Sequence, residues 1–323
     1  MQRKALYGLL LIGLIVAPFV GVYPVFMMKV LCFALFAAAF NLLIGYTGLL
    51  SFGHAMFLST AGYVTGYAIQ TLSVTPELGV IAGTVAATLL GLVAGLIAIR
   101  RQGIYFAMVT LALAQMVYFV FLQAPFTHGE DGLQGVPRGK LFNVVDLGSD
   151  MTLYYVVLVV TLLAFALIVR IVHSPFGQVL IAIKENEPRA TSLGYDTSRY
   201  KLLAFVLSAG LAGFAGSLKT VVLGFETLGD AYWTMSGLVV LMTLVGGMST
   251  MFGPLLGAAI IVALEDRLGD IGSGIARLTG VSRFNSLGES VTIVTGVIFI
   301  ACVLAFRRGI VGEIVARVRP LQG

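Results

Sequence analysis

Groups able to do covalent or metal chemistry are few in this chain, and they stand apart. The only histidines, His54, His128 and His173, are too far separated to form a metal-ligand pair on one helix or turn. Cys32 and Cys302 both fall inside apolar runs, where a cysteine serves as a small packing residue and no disulfide framework is expected. Gly139-Lys140 is followed by Leu141 and lacks a glycine at the offset a phosphate loop requires, so this chain does not hydrolyse ATP by that route. No zinc signature, catalytic-triad spacing or dinucleotide fingerprint occurs, and the chain is not expected to be an enzyme. Acids placed for proton or sodium coupling are nearly missing as well: Glu226 and Asp230 fall at the end of an apolar run, not within it.

What remains is of two kinds. Asn41, Thr47, Ser51, His54, Thr110 and Gln115 are single polar groups set in apolar stretches. A buried polar group must find a partner, so each reads as an interhelical hydrogen bond or as a contact along a substrate path. The second kind is one continuous polar segment, residues 173–200. Within it Ser174 is a candidate N-cap with Pro175 at the first helical position, and Phe176, Val179, Leu180 and Ile183 form an apolar stripe. Pro188 opens a second short helix that Gly194 closes. Two short amphipathic helices of this kind suit a groove on a partner protein, or alternatively the lipid headgroup layer.

The elements that must position these groups are membrane spans. Of 323 residues 59% are hydrophobic and 11% charged, with a mean hydropathy of +1.00. A soluble domain carries about a quarter charged residues, so the solvent for most of this surface is the lipid bilayer. The net charge of +5 forms no basic stripe and does not indicate nucleic acid; the Lys and Arg residues lie between apolar runs, where they anchor topology. A span needs roughly 20 apolar residues. Eight stretches qualify: 5–26 (read as a first span rather than a signal peptide), 30–46, 55–69, 78–99, 104–123, 153–171, 202–223 and 291–306. The stretch 235–264 is broken by Gly246-Gly247 and Gly253-Pro254, and each half is too short to cross comfortably. It reads as a re-entrant hairpin or two short tilted spans.

Charge placement favours the hairpin. Arg3 and Lys4, Arg100 and Arg101, the 173–200 segment, and Arg307, Arg308, Arg317 and Arg319 all belong on the cytoplasmic side, which requires 235–264 to enter and leave by one face. Residues 124–150 and 265–290 then become external segments. The expected fold is an all-α, polytopic transmembrane bundle of about eight spans plus a broken re-entrant pair, forming one domain over residues 1–323 with 173–200 as a cytoplasmic loop. The turn at 48–54 and the broken stretch 235–253 sit at comparable places in the two halves, a weak echo that suggests an inverted repeat. Small-xxx-small spacings (Gly62 and Gly66; Gly91 and Gly95; Ala209, Gly213 and Ser217) indicate close helix packing.

Four blocks carry a resemblance. Residues 174–194 (SPFGQVLIAIKENEPRATSLG) resemble the coupling loop of ABC importer permeases and, more narrowly, the LivM branch of the branched-chain amino acid permeases. Residues 41–54 (NLLIGYTGLLSFGH), 103–115 (GIYFAMVTLALAQ) and 246–258 (GGMSTMFGPLLGA) match the same family in order, and 127–133 (THGEDGL) is similar to its external T-G-G-x-x-G-L. His128 replaces a usual glycine, Leu49 a frequent glutamine, and Gln178 and Lys184 two arginines. The resemblance implies a subunit of a bacterial inner-membrane importer with both termini cytoplasmic. Its partners would be a LivH-like second permease, two cytoplasmic ABC ATPases of LivG/LivF type and a periplasmic substrate-binding protein. It implies no cofactor on this chain, ATP and Mg residing in the ATPases. Phe176, Val179 and Ile183 would supply the apolar docking face, Glu185, Asn186, Glu187 and Arg189 polar contacts that fix register on the ATPase, and Ala182 and Gly194 belong to the same coupling segment. Branched-chain amino acids are the expected substrate. Urea or short amides through the same architecture, or a carrier or channel without an ATPase, are the alternatives.

Overall fold

The computed structural model describes residues 13–21, 23–142 and 144–279, with short pieces at 296–297, 300, 309–311 and 313; for 267–279 only the backbone is described. The expected last span, the opening residues 5–12 of the first, Cys302 and the arginines 307, 308, 317 and 319 lie largely or wholly outside these residues. The helices are α1 (Pro24–Thr47), α2 (His54–Gln70), α3 (Pro76–Ala98), α4 (Ile104–Gln123), α5 (Asp150–His173), α6 (Pro175–Glu185), α7 (Glu187–Ser192), α8 (Thr197–Leu223), α9 (Leu228–Ala231), α10 (Trp233–Gly246) and α11 (Gly253–Thr279). Short ladders join β1 (Leu133–Gln134) to β4 (Phe225–Glu226) and β2 (Lys140–Leu141) to β3 (Val145–Asp146), all antiparallel.

Local chemistry sets the helix ends. Pro24 and Pro76 start α1 and α3, each after an extended residue, as a residue with fixed φ and no N–H allows. Asp150 in the first turn of α5 and Arg170 and His173 in its last complement the helix dipole. Gly48 and Gly224, both at φ +75°, close α1 and α8 in the left-handed conformation that a glycine adopts without strain.

Six of the expected spans coincide with α1, α2, α3, α4, α5 and α8, and five helices (α1, α3, α4, α5 and α8) are long and apolar enough to cross a membrane. One boundary differs. The first expected span was drawn to residue 26, but a 3-10 turn at Ala17–Val20 and a left-handed Gly21 end it earlier, and Pro24 already begins α1. The segment 265–290 was expected to be an external connection; instead α11 runs on through Thr279.

α1 is the axis of the bundle. In its apolar window 83% of residues are buried, against 28% in α4. A helix hydrophobic on every side belongs in a core. On one flank α1 meets α8, which carries α2 and α3; on the other it meets α5, α10 and α11. Small residues bring these backbones together: a Cβ added at Gly91 would overlap Ala209, one at Gly213 would overlap Ala87, and one at Gly216 would overlap the Leu58 carbonyl. Polar glue joins the same helices where Thr65 Oγ1 lies 2.8 Å from Ser217 Oγ and 3.1 Å from the Gly79 carbonyl.

The broken stretch is an antiparallel helical hairpin. A Cβ at Gly246 would strike the Gly253 carbonyl, and one at Gly257 would strike the Met242 carbonyl, so α10 and α11 run back along each other from the break at 247–252. With 14 residues, α10 rises about 21 Å at 1.5 Å per residue, short of the ~30 Å hydrocarbon core.

Candidate functional site

Residues 174–194 fold as two short helices at one end of the bundle. Ser174 Oγ accepts from Gly177 N (3.3 Å) and caps α6, while Asn186 Oδ1 accepts from Arg189 N (3.0 Å) and caps α7 one residue earlier than Pro188 suggested. A Cβ at Gly177 would overlap the Val172 carbonyl, so glycine is required for α6 to fold back against α5.

The apolar stripe of α6 faces inward. Leu180 and Ile183 are buried against the bundle and unavailable to a partner, which corrects the docking role expected for Ile183; the stripe is amphipathic because its own core needs it. Phe176 is half-buried and stacks on Tyr200, with ring centroids 5.7 Å apart and planes 18° from parallel, and Val179 is half-buried. Glu187 also turns inward: its carboxylate accepts from Lys201 Nζ (2.5 Å) and Gln102 Nε2 (3.3 Å), tying the loop to the start of α8 and to the turn before α4. Ala182, Glu185, Asn186, Arg189, Leu193 and Gly194 remain exposed and form the outward face.

Behind that face lies a compact polar junction. Thr47 Oγ1 donates to the Leu43 carbonyl (2.5 Å) and accepts from Leu49 N (3.3 Å). The Gly45 carbonyl is one of the orphan acceptors of the last turn of α1, which ends at the left-handed Gly48. Two donors satisfy it: Lys184 Nζ from α6 (2.7 Å) and Ser249 Oγ from the hairpin break (2.7 Å), themselves 3.0 Å apart. Asn41 completes it, accepting from Ser249 N and donating to the Thr250 carbonyl, both at 3.0 Å. Side chains from α6 and from the hairpin break thus converge on one carbonyl of α1.

The expected pathway residues fall into place around this junction. Asn41 and Thr47 belong to it. Ser51 Oγ accepts from Gly53 N (3.1 Å), and Thr110 Oγ1 accepts from Phe52 N (3.1 Å), so both hold the 48–53 turn. His54 is fully buried among Phe36, Phe40, Phe57 and Phe205, with Nε2 2.8 Å from Ser208 Oγ. Ser208 gives its single proton to the Ala39 carbonyl (2.6 Å), so His54 must be the donor through Nε2–H. Gln115 stands apart: its Nε2 is buried with no partner among the described residues.

The opposite end of α8 joins Glu226 and Asp230 to a charge that the apolar pattern hid. Lys219 sits inside the 202–223 span, with Nζ 2.6 Å from Asp230 Oδ1 and 3.2 Å from Glu226 Oε2. All three side chains are buried. Asp230 is further held by Thr227, which donates from its N–H (3.1 Å) and Oγ1 (2.7 Å) to the same carboxylate oxygen. Thr220 Oγ1 donates to Glu226 (2.7 Å). Burial is the largest influence on Glu226 and pushes its carboxyl up to about 8; the Lys219 charge pulls the other way and Asp230 adds to the rise. Lys219 thus faces both carboxyl groups and lies nearer to Asp230. The 127–134 segment lies over it, with Leu133 paired to Glu226 in the β1–β4 ladder. The sequence signal was a lone lysine in an apolar run with acids seven and eleven positions on.

Among the described residues no group of His, Cys, Asp and Glu could hold a metal ion. A family described as "branched-chain amino acid transport system / permease component" matches residues 24–303. The high-affinity branched-chain amino acid transport system permease protein LivM of Escherichia coli (strain K12) is 29% identical over 258 residues, 71% of this chain and 60% of that protein. Its counterpart in Salmonella typhimurium is 28% identical over the same shares. The probable ABC transporter permease protein YphD of Escherichia coli (strain K12) is 32% identical over 152 residues, 45% of this chain and 42% of that protein. The matched segment spans only 60% of the length of the two LivM relatives. No solved structure matches the chain. The chain belongs to the family of branched-chain amino acid transport permeases and is a multi-pass membrane protein.

Proposed function

We propose that the chain is the membrane-embedded permease subunit of an ATP-binding-cassette importer for branched-chain or other small apolar amino acids. The observation that carries this reading is the two-sided loop: α6–α7 presents Ala182, Glu185, Arg189 and Leu193 outward while Leu180 and Ile183 are buried in the bundle, and the exposed Lys184 lays its ammonium on the Gly45 carbonyl. A loop built only to lie on lipid headgroups would turn its apolar stripe to the membrane; here the stripe is spent on the chain's own core. The exposed face is a docking surface for an ATPase, and the inner face carries the push onward.

In this reading the loop end is cytoplasmic, the triad end faces the periplasm, and the membrane is a bacterial inner membrane. Two ATPases hold the ATP and Mg, a second LivH-like permease completes the pore, and a periplasmic binding protein selects and delivers the substrate. Five of the six polar pathway candidates are committed to bonds within the chain. That supports a shaping role for Asn41, Thr47, Ser51, His54 and Thr110, beside a path lined chiefly by apolar groups. Such a path suits a small apolar amino acid that must pass without being held.

The test is uptake of radiolabelled leucine into vesicles reconstituted with this chain, its cognate second permease, ATPases and binding protein. Uptake that needs ATP and ceases without the ATPases is expected. Equal uptake without them would overturn the reading in favour of a self-sufficient carrier.

A further inference from the structure

We propose that Lys184 is the positioning residue that carries the motion of the α6–α7 loop to the hairpin break and to the end of α1. The proposal rests on the importer reading above and adds the specific link through which force would pass.

The geometry singles this residue out. Lys184 lies at the C-terminal end of α6, next to the exposed docking face, yet its ammonium reaches 2.7 Å from the Gly45 carbonyl and 3.0 Å from Ser249 Oγ. A cation at a helix C-terminus is favoured by the helix dipole, and the Gly45 carbonyl lies in the last turn of α1, where carbonyls have no intrahelical donor. The contact is therefore built into the end of α1, not a chance surface approach.

The residue it meets is under backbone strain. Ser249 has φ +60°, a left-handed conformation unusual for a residue with a side chain. Its N–H to Asn41, its hydroxyl to Gly45 and the Lys184 ammonium hold it there. Gly45 permits the approach, since a Cβ at that position would lie 3.0 Å from Ser249 N. A strained residue at a helix break, held by side chains from two other elements, is suited to a second conformation once one of them moves. Displacing α6 shifts the ammonium, loosens Ser249 and lets α10 and α11 reorient against α1. The buried Leu180 and Ile183 make α6 move together with the bundle residues they pack on, and Glu187 holds the following turn to Lys201.

The experiment reads uptake and ATP hydrolysis together, in vesicles holding the assembled importer with its binding protein. Lys184→Met removes the ammonium and keeps the stem; Lys184→Arg keeps a cationic donor; Ser249→Ala removes the hydroxyl and leaves the Lys184–Gly45 contact. Lys184→Met is expected to co-purify with the ATPases and to hydrolyse ATP within about twofold of the parent, while leucine moved per ATP falls by about tenfold or more. Lys184→Arg is expected to retain most of the coupling and Ser249→Ala an intermediate share. Unchanged leucine per ATP in Lys184→Met would overturn the proposal, as would loss of ATPase association, which would make Lys184 a docking contact. A parent importer whose uptake ignores the ATPases would sink the importer reading instead, so the two failures are distinct.

Discussion

The two ends of α8 are held by different chemistry. At one end Lys219, Glu226 and Asp230 are buried and bonded to one another and to Thr220 and Thr227, under the 127–134 segment. At the other end Glu187 pairs side chain to side chain with Lys201, and beside it, at the end of α1, the exposed Lys184 and Ser249 bond the Gly45 carbonyl while the buried Asn41 bonds the 249–250 backbone. Breaking a buried charge pair leaves an uncompensated ion in a dry interior, which costs several kcal/mol. Exchanging a partly exposed hydrogen bond for water costs about 1 kcal/mol. The first arrangement clamps; the second can be made and unmade in a working cycle. A single subunit that is fixed at the triad end and adjustable at the loop end is what a loop-driven permease requires.

The comparison is broken most severely at Lys219. Lys219→Met should strand Asp230 and destabilise the fold by about 3–5 kcal/mol, read as a fall in the thermal unfolding midpoint of the detergent-purified protein. Asp230→Asn added to Lys219→Met should recover part of the loss. Lys184→Met should leave the midpoint almost unmoved, and a drop as large as that of Lys219→Met would erase the distinction between clamp and link.

A smaller effect comes from pH. Burial raises the Glu226 carboxyl from its ordinary value to about 8. A raised group contributes stability that is fully present below its unfolded pKa and is lost as pH rises through the folded one. Unfolding midpoints should therefore decline between about pH 5 and about pH 8.5, and Glu226→Gln should flatten that decline. Asp230 has the opposite sign. Burial alone would raise it, but the Lys219 charge and the Thr227 bonds hold it below the usual range, so its contribution is lost only in acid. A Glu226→Gln protein with an unchanged pH profile would place the titration elsewhere.

The smallest expected change is local to the loop. Asn186→Ala removes the N-cap of α7 and should cost about 1 kcal/mol, seen as faster amide exchange over residues 187–192 with the global midpoint preserved. Equal slowing or quickening across the whole bundle would contradict a cap confined to α7.

Much of this architecture was legible because membrane spans are written in plain runs of apolar residues. The α5–α6 turn was equally readable, since Ser174-Pro175 is an N-cap followed by a residue that can only begin a helix. The break between α10 and α11 followed from the paired glycines, and Gly246 and Gly253 are where the two helices touch. Facing was harder to read. The Phe176–Ile183 stripe has the same period whether it meets a partner or its own bundle, and only the fold shows Leu180 and Ile183 turned inward. Asn186 and Glu187 looked like polar contacts for a partner, yet one caps α7 and the other binds Lys201, because three-dimensional neighbours are not encoded by spacing. Lys219 was hidden by the apolar run around it. Lys184 stood out as a departure from a family pattern, but its contact with residues 45 and 249 joins segments too distant for any periodicity to connect.

Amide hydrogen exchange of the assembled importer, compared between the nucleotide-free and ATP-bound states, tests the division between clamp and link most directly. The expected result is a change in protection over residues 45–53 and 247–253 with residues 219–230 unaltered. A change confined to 219–230, with the junction unaltered, would contradict it.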